Sequence, residues 1–188
     1  MSIKTIFGLT VVGTICLSCQ SNSYQIDGFT RNCHDGDTIC MAKEPMQNGN
    51  VTITLVENGK FYFAGETEDT VLYKIFPKET PDQTVYFFLE PSRITIELSS
   101  SPEGNRVSGT HINNQWQQLN DSISLLGKEA VRTVMLIARD SVSQRQQMMT
   151  VDSLHRRMSD CILNTARRNS DNVLGQYVRQ NYKAPEFR

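Results

Sequence analysis

Between Tyr24 and Ser108 the hydrophobic and polar residues alternate over short stretches, which is typical of β-strands. Eight runs rich in β-branched and aromatic residues are separated by turn signals and recur about every ten residues. They lie at 24–29, 38–41, 51–56, 60–64, 70–76, 84–89, 93–98 and 106–108. This spacing predicts an antiparallel β-sandwich or a barrel-like domain.

The strongest turn signal is Asn58-Gly59, which joins the third run to the fourth. Both central residues of a type I′ turn need positive φ, and Asn-Gly meets that need best. The signal predicts a hairpin in which Val56 lies opposite Phe61. Both faces of this hairpin would carry large apolar side chains, as in a strand that is covered on two sides.

After Gly109 the period lengthens to that of amphipathic helices. One apolar stripe covers 112–138 and includes Trp116, which we expect to be buried; a second covers 148–162. A third, short helix is predicted to start at a Ser170 cap. The chain is therefore predicted to be α+β, with a β-rich domain at 24–109 and a helical segment of two or three helices at 110–188. The alternative for the stripes is a coiled-coil seam that recruits a partner.

The first residues follow the order of a bacterial export signal. Lys4 precedes an uncharged apolar run, 5–15, which is shorter than the roughly 20 residues of a membrane-spanning helix. The run ends just before Cys19, the expected lipid-accepting cysteine. We therefore predict a lipoprotein-type signal peptide at 1–18 and a polar tether at 19–23. Cleavage by an ordinary signal peptidase is the alternative, because Cys16 occupies the place where leucine is usual.

This signal predicts a location in the bacterial cell envelope, with the protein anchored to the membrane through Cys19. Residues 20–23 lack an acidic run, which favours the periplasm-facing side of the outer membrane. Loss of Lys4 with the signal leaves 18 basic and 20 acidic residues, a formal charge of 18 − 20 = −2. This balance has no basic cluster and excludes nucleic acid as an expected partner.

Three cysteines remain in the mature chain: Cys33, Cys40 and Cys161. Cys33 and Cys40 flank a turn-rich stretch, so a hairpin would bring them together and an oxidising envelope would favour a disulfide. Closing that loop is worth about 2.5 kcal/mol in the chain-entropy model. Two unlinked thiols, or a redox pair, are the alternatives. Cys161 lies on a helical stripe and is expected to be a core thiol.

No metal or other cofactor is expected, because the histidine, cysteine and aspartate spacing around 33–40 matches neither structural zinc nor a calcium loop. Ser108, His111 and Asp121 supply the residue types of a hydrolase triad. The nucleophile elbow that such enzymes carry is missing from the sequence. We therefore predict no catalytic residues.

Five short motifs, in this order, carry a family resemblance: Tyr24-x-Ile26-x-Gly28, Asp35-Gly36-Asp37-Thr38, Glu57-Asn58-Gly59-Lys60-Phe61-Tyr62-Phe63-x-Gly65, Phe88-Leu89-Glu90-Pro91-Ser92-x-Ile94 and Val107-Ser108-Gly109-Thr110-x-x-Asn113. They resemble the domain of unknown function that precedes the thioredoxin-like domain in envelope thiol:disulfide interchange lipoproteins. The resemblance implies a small β-rich domain followed by helices and tethered to a membrane.

The sequence differs from that family at the redox-active motif. Such lipoproteins carry Trp-Cys-x-x-Cys in the thioredoxin-like domain, whereas this chain has Trp116 alone and no mature Cys-x-x-Cys. Residues 184–187, Ala-Pro-Glu-Phe, resemble the start of such a domain. We expect either a truncated lipoprotein of this type or a stand-alone version of its noncatalytic module.

These observations favour a lipid-anchored, noncatalytic binding or positioning module, with an envelope redox protein as the candidate partner. The alternatives are a thiol-disulfide exchange enzyme, truncated or acting through Cys33 and Cys40, and a structural subunit of an envelope assembly.

Overall fold

The computed structural model describes residues 22–45, 51–137 and 144–182. The predicted signal peptide, Cys19 and the segment 184–187 lie outside these ranges. The described residues form eight strands: β1 Ser23–Thr30, β2 Thr38–Lys43, β3 Val51–Leu55, β4 Lys60–Glu66, β5 Val71–Pro77, β6 Val85–Leu89, β7 Arg93–Leu98 and β8 Arg106–Ser108. Three helices follow: α1 His111–Ile137, α2 Gln144–Arg168 and α3 Val173–Asn181.

The strands form two four-stranded sheets, and so the predicted α+β sandwich with following helices is confirmed. Sheet 1 has the order β4-β1-β7-β8 and sheet 2 the order β3-β2-β5-β6. Neighbouring strands are antiparallel except for β1 and β7, which run parallel. That parallel pair joins strands far apart in the chain, and no local turn signal reports it.

The core lies between the sheets, where alternate side chains of the strands point inward. Burying each large aliphatic or aromatic side chain contributes about 1.5–3 kcal/mol. Six inward-facing side chains have no exposed surface: Ile26, Ile39, Ile75, Phe87, Ile94 and Ile96.

Two glycines of the first and third motifs provide room for aromatic rings. A Cβ atom at Gly28 would overlap the ring of Phe61 on the adjacent strand, and one at Gly65 would press on Tyr24. Glycine in a strand is tolerated where another group approaches this closely. The spacing of glycine and aromatic residues in these motifs is therefore explained by core packing.

The Asn58-Gly59 turn forms as predicted, but the predicted hairpin pairing is wrong. Asn58 has φ +52° and Gly59 φ +69°, and Glu57 and Lys60 exchange two backbone hydrogen bonds of 2.8 and 3.0 Å. Beyond this point the strands diverge, because β3 pairs with β2 and β4 pairs with β1. Val56 and Phe61 are both buried in the core rather than paired along one sheet.

α1 and α2 form a long helical hairpin. Their inner ends share one hydrophobic cluster with the sandwich through Trp116, Leu119 and Leu163, among others. Their outer ends form a separate small cluster of Leu126, Ala130 and Leu154. The 27 residues of α1 span about 40 Å, and the hairpin therefore extends beyond the sandwich. Over the described residues, no helix is both long enough and apolar enough to cross a membrane.

The third helix begins later than predicted. Its N-cap is Asn172, whose side-chain oxygen accepts hydrogen bonds from Leu174 N and Gly175 N at 3.0 and 3.2 Å. Ser170 lies in the preceding turn and is exposed. Asparagine and serine are about equally good N-cap residues. The cap is Asn172 because its backbone is extended, with the helix starting at the next residue.

One edge of the sandwich is closed by side chains of α1. Asn113 makes two bonds to the backbone of Phe88 in β6, accepting from its N–H at 2.9 Å and donating to its carbonyl at 2.8 Å. Trp116 Nε1 donates to Tyr86 O at 2.8 Å, and Gln117 Oε1 accepts from Val107 N in β8 at 2.8 Å. The helix thus satisfies backbone groups that a neighbouring strand would otherwise bind.

Trp116 is buried, as predicted, with 5 % of its surface exposed. Its ring meets Phe88 and Tyr177 edge-to-face at centroid distances of 5.8 and 5.6 Å. Since Phe88 belongs to β6 and Tyr177 to α3, this aromatic group joins α1 and α3 to the edge strand of sheet 2.

Candidate binding surface

The outer face of sheet 1 is exposed where β1, β4 and β7 lie side by side. Strand register places Asp27 of β1 between Tyr62 of β4 and Thr95 of β7. Phe29 lies two residues after Asp27 in β1, and its side chain is therefore on the same face. The exposed fraction of Tyr62 is 50 % and that of Phe29 is 41 %. Two aromatic side chains thus stand on a rigid, solvent-facing sheet.

Asp27 forms an ion pair with Arg93 on this face. Arg93 Nε donates to Asp27 Oδ2 at 2.6 Å, and Gln25 Nε2 donates to Asp27 Oδ1 at 3.1 Å. The Arg93 hydrogen bond lowers the pKa of the Asp27 carboxyl, so this group stays ionised at neutral pH. Arg93 itself is 71 % exposed, and its Nη groups bond to no other described residue.

A broad depression of about 1070 Å³ lies beside this pair. Its floor is the outer face of β1, β4 and β7, and its rim includes Leu55 at the end of β3. It exists because β3 and β4 separate into different sheets directly after the Asn58-Gly59 turn. We call it the β1–β4 groove and define it by Asp27, Phe29, Leu55, Tyr62 and Arg93.

The groove has the chemistry of a recognition surface. Aromatic and arginine side chains are enriched where proteins bind one another, because they combine a large contact area with fixed polar groups. Here Tyr62, Phe29 and Leu55 supply the apolar area, and Arg93 supplies exposed donors. Strands hold these side chains in place more firmly than loops do.

The predicted hairpin around Cys33 and Cys40 is wrong, because β1 belongs to sheet 1 and β2 to sheet 2. Both thiols are unlinked in the structure. Cys33 is half-buried and packs against the core, whereas Cys40 lies on the opposite face of β2 from Ile39 and Met41. The disulfide itself stays a prediction.

Cys40 is buried, and this burial raises the pKa of its thiol, although nearby Lys78 acts in the other direction. A raised pKa lowers the thiolate fraction at neutral pH, and the thiolate is the nucleophile in exchange. Cys161 is half-buried and packs against both hydrophobic clusters, which agrees with a structural thiol.

The turn between these cysteines has a structural explanation. Asp37 Oδ2 accepts from His34 N at 2.7 Å, and Gly36 has φ +93°, so the second motif builds a tight turn closed by the aspartate. Gly36 N also donates to Val56 O at 2.9 Å, which attaches the turn to the end of β3. Among the described residues, no cluster of three or more histidine, cysteine or acidic side chains is placed to hold a metal ion.

Ser108, His111 and Asp121 each have separate surroundings. Asp121 accepts from Gln117 at 2.9 Å and lies 3.4 Å from Arg106, while the His111 ring is 2.6 Å from Gln115 Nε2. No hydrogen bond joins any two of the three within the part of the chain that is described. They do not form a triad here.

Sequence reasoning missed Asp27, Arg93 and Tyr62. They lie on three strands, and only the register of sheet 1 brings them together. The alternation of Tyr24-Gln25-Ile26-Asp27 marks Asp27 as outward-facing, but the identity of its neighbours depends on which strands pair.

No curated protein matches the chain. A family model does match residues 24–116, a segment that runs from the second residue of β1 through β8 to Trp116 in α1. The resemblance to a domain of unknown function, expected over 24–113, agrees with this match. Over residues 24–116, just under half of its 188 residues, the chain is similar to the family described as a domain of unknown function, DUF4369.

Proposed function

We propose that this protein is a lipid-anchored, noncatalytic module of the bacterial cell envelope that binds and positions a partner protein through the β1–β4 groove. It is of the type that is fused to thioredoxin-like oxidoreductases, and an envelope redox protein is the candidate partner. The observation that carries this proposal is the exposed Tyr62, Phe29 and Arg93 on an uncovered face of a rigid sheet.

The proposed anchor keeps the sandwich close to the membrane. Four steps separate Cys19 from Ser23, where β1 begins. An extended chain spans at most about 3.6 Å per residue, and so the tether is no longer than about 15 Å. A partner held in the same membrane would therefore meet the sandwich directly.

The thiols support a binding role over an exchange role. Exchange needs an accessible thiolate with a second cysteine placed to resolve the mixed disulfide. Cys40 is buried, its thiol pKa is raised, and β2 presents it away from the core against which Cys33 packs.

Site-specific photocrosslinking tests the groove. A benzoylphenylalanine replacing Tyr62 in the full chain should give discrete adducts to one partner in the envelope. The same residue replacing Val134, which is 52 % exposed on α1, is the matched control and should not give them. Arg93→Gln should weaken the Tyr62 adduct. The proposal is wrong if position 62 gives no adduct, or gives the same set as position 134.

A further inference from the structure

Strand β3 is an open edge of sheet 2. Its sequence, Val-Thr-Ile-Thr-Leu, contains no charge, proline or glycine. The exposed fractions of Val51, Ile53 and Leu55 are 38, 63 and 52 %. Natural edge strands are usually protected by charges, proline, bulges or a covering element, and β3 has none of these among the described residues. By contrast, β4, the edge of sheet 1, begins with Lys60 and ends with Glu66.

The backbone of the same three residues faces outward from the edge. Val56 N donates to Asp37 O at 2.9 Å, and Lys78 N donates to Thr38 O at 2.9 Å. In an antiparallel ladder every second residue bonds to a given neighbour. Thr52 and Thr54 therefore bond to β2, while the N–H and C=O groups of Val51, Ile53 and Leu55 point away from it.

This edge matches a reversed copy of itself. Read in the opposite direction about Ile53, the strand sets Ile53 against Ile53, Val51 against Leu55, and Thr52 against Thr54. Apolar residues thus meet apolar residues, and threonine meets threonine, a favourable cross-strand pair. In this register, Ile53 pairs with Ile53 and Val51 with Leu55. These are the residues whose backbone N–H and C=O groups point outward, so each pair can exchange hydrogen bonds across the two strands.

We propose that β3 pairs with β3 of a second copy of this chain, antiparallel and centred on Ile53. The pairing joins the two copies of sheet 2 into one continuous eight-stranded sheet with a twofold axis at Ile53, an isologous interface. A strand partner other than this chain would not need the twofold pattern that β3 carries. The opposite edge, β6, is closed by Asn113 and Trp116 of α1.

Cysteine cross-linking tests both the pairing and its register. In the full chain with Cys33, Cys40 and Cys161 replaced by serine or alanine, we introduce Ile53→Cys and oxidise with copper phenanthroline. Hydrogen-bonded antiparallel partners have Cα atoms about 5.5 Å apart, within disulfide range. Ile53→Cys should therefore give a covalent dimer. The background protein without an introduced cysteine should not, which controls for Cys16 and Cys19.

Neighbouring positions provide the register control. Val51→Cys alone should not cross-link, because position 51 of the second copy lies four residues away along the strand, more than about 13 Å. An equimolar mixture of Val51→Cys and Leu55→Cys proteins should give the heterodimer. If Val51→Cys alone cross-links as well as Ile53→Cys does, the centred pairing is wrong. Capture of a different protein by Ile53→Cys, with no self-dimer, would also overturn it.

A charge at the edge tests the interface without cross-linking. Ile53→Lys should weaken dimerisation of the detergent-solubilised full chain at least tenfold by sedimentation equilibrium, because two lysines would face each other across the axis. Val134→Lys introduces the same charge at another exposed apolar position and should leave the dimer intact. A wild-type protein that is monomeric at every concentration, with no Ile53→Cys dimer, refutes the proposal and leaves the groove proposal untouched.

Discussion

At the scale of single residues, Asn113 shows how one buried amide replaces a strand neighbour. It has no exposed surface, and its side chain binds the backbone N–H and C=O of Phe88 together with Thr110 Oγ1 at 3.0 Å. A buried polar group that lost these partners would cost about 1–3 kcal/mol. The fold thus explains the asparagine, Asn113, that ends the fifth motif.

Glu90 lies beside this network, and its side chain is half-buried. Asn113 Nδ2 lies 3.4 Å from Glu90 Oε1. Burial raises the pKa of Glu90, although a hydrogen bond with Thr110 and the charge of His111 act in the other direction. The folded protein therefore holds this proton more tightly than the unfolded chain does.

We predict that Glu90→Gln stabilises the protein relative to wild type, by an amount that increases as pH rises from 4 to 7. A carboxyl with a raised pKa costs stability that is absent below its unfolded pKa of about 4.3 and grows as pH rises through the higher folded pKa. Melting temperatures measured between pH 4 and 7 should therefore favour Glu90→Gln increasingly at the upper end. Glu97→Gln, at an exposed position, controls for the lost charge. A constant difference between Glu90→Gln and wild type would contradict the burial of Glu90.

At the scale of elements, α1 combines two roles on one face. Asn113, Trp116 and Gln117 stand three and four residues apart, the spacing that aligns side chains along a helix. The face that the apolar stripe predicts to be buried therefore also carries the donors and acceptors that close the edge of β6 and β8.

We predict that Trp116→Ala lowers the free energy of unfolding by about 3–5 kcal/mol, because it removes the ring that contacts Phe88 and Tyr177. Trp116→Phe retains most of the packing and loses the bond to Tyr86 O, and so it should cost less. Denaturant unfolding followed by circular dichroism measures both. Gln118→Ala, an exposed neighbour, is the control and should change little. Equal stability of Trp116→Ala and wild type would refute the packing.

The strands were predictable as elements, but their partners were not. All eight runs form strands within a few residues of their predicted bounds, because alternation and turn residues are local signals. The Asn58-Gly59 turn also formed, with both φ values positive. Its flanking strands nevertheless joined different sheets, since a turn fixes the local chain direction and the core decides which strands pair. Asn172 replaced Ser170 as the cap for a similar reason, because both residues can cap a helix and only the fold selects one.

At the scale of the whole molecule, the β1–β4 groove depends on contacts that sequence alone does not report. Asp27 and Arg93 are 66 residues apart and meet only because β1 and β7 run parallel side by side. Outward-facing positions could be inferred from alternation on each strand. Their assembly into one surface required the order β4-β1-β7.

The anchoring prediction also belongs to this scale. We predict that Cys19→Ser releases the protein from the membrane fraction and abolishes palmitate labelling. Stable anchoring needs more than one acyl chain, and each buried methylene contributes about 0.8 kcal/mol. Cys16→Ser, within the predicted signal peptide, is the matched control and should remain anchored. Fractionation and labelling of both variants decide the matter, and a Cys19→Ser protein that behaves like its parent would exclude a lipoprotein.

The closure of β6 by α1 limits how far the proposed pairing can continue. An unprotected strand at both ends of a sheet allows copies to add without end, the geometry of a growing fibril. Here a further copy at β6 would have to displace the Asn113 amide and the Trp116 indole from Phe88 and Tyr86. Addition through sheet 2 therefore terminates after two chains, and the uncharged β3 is compatible with a finite assembly.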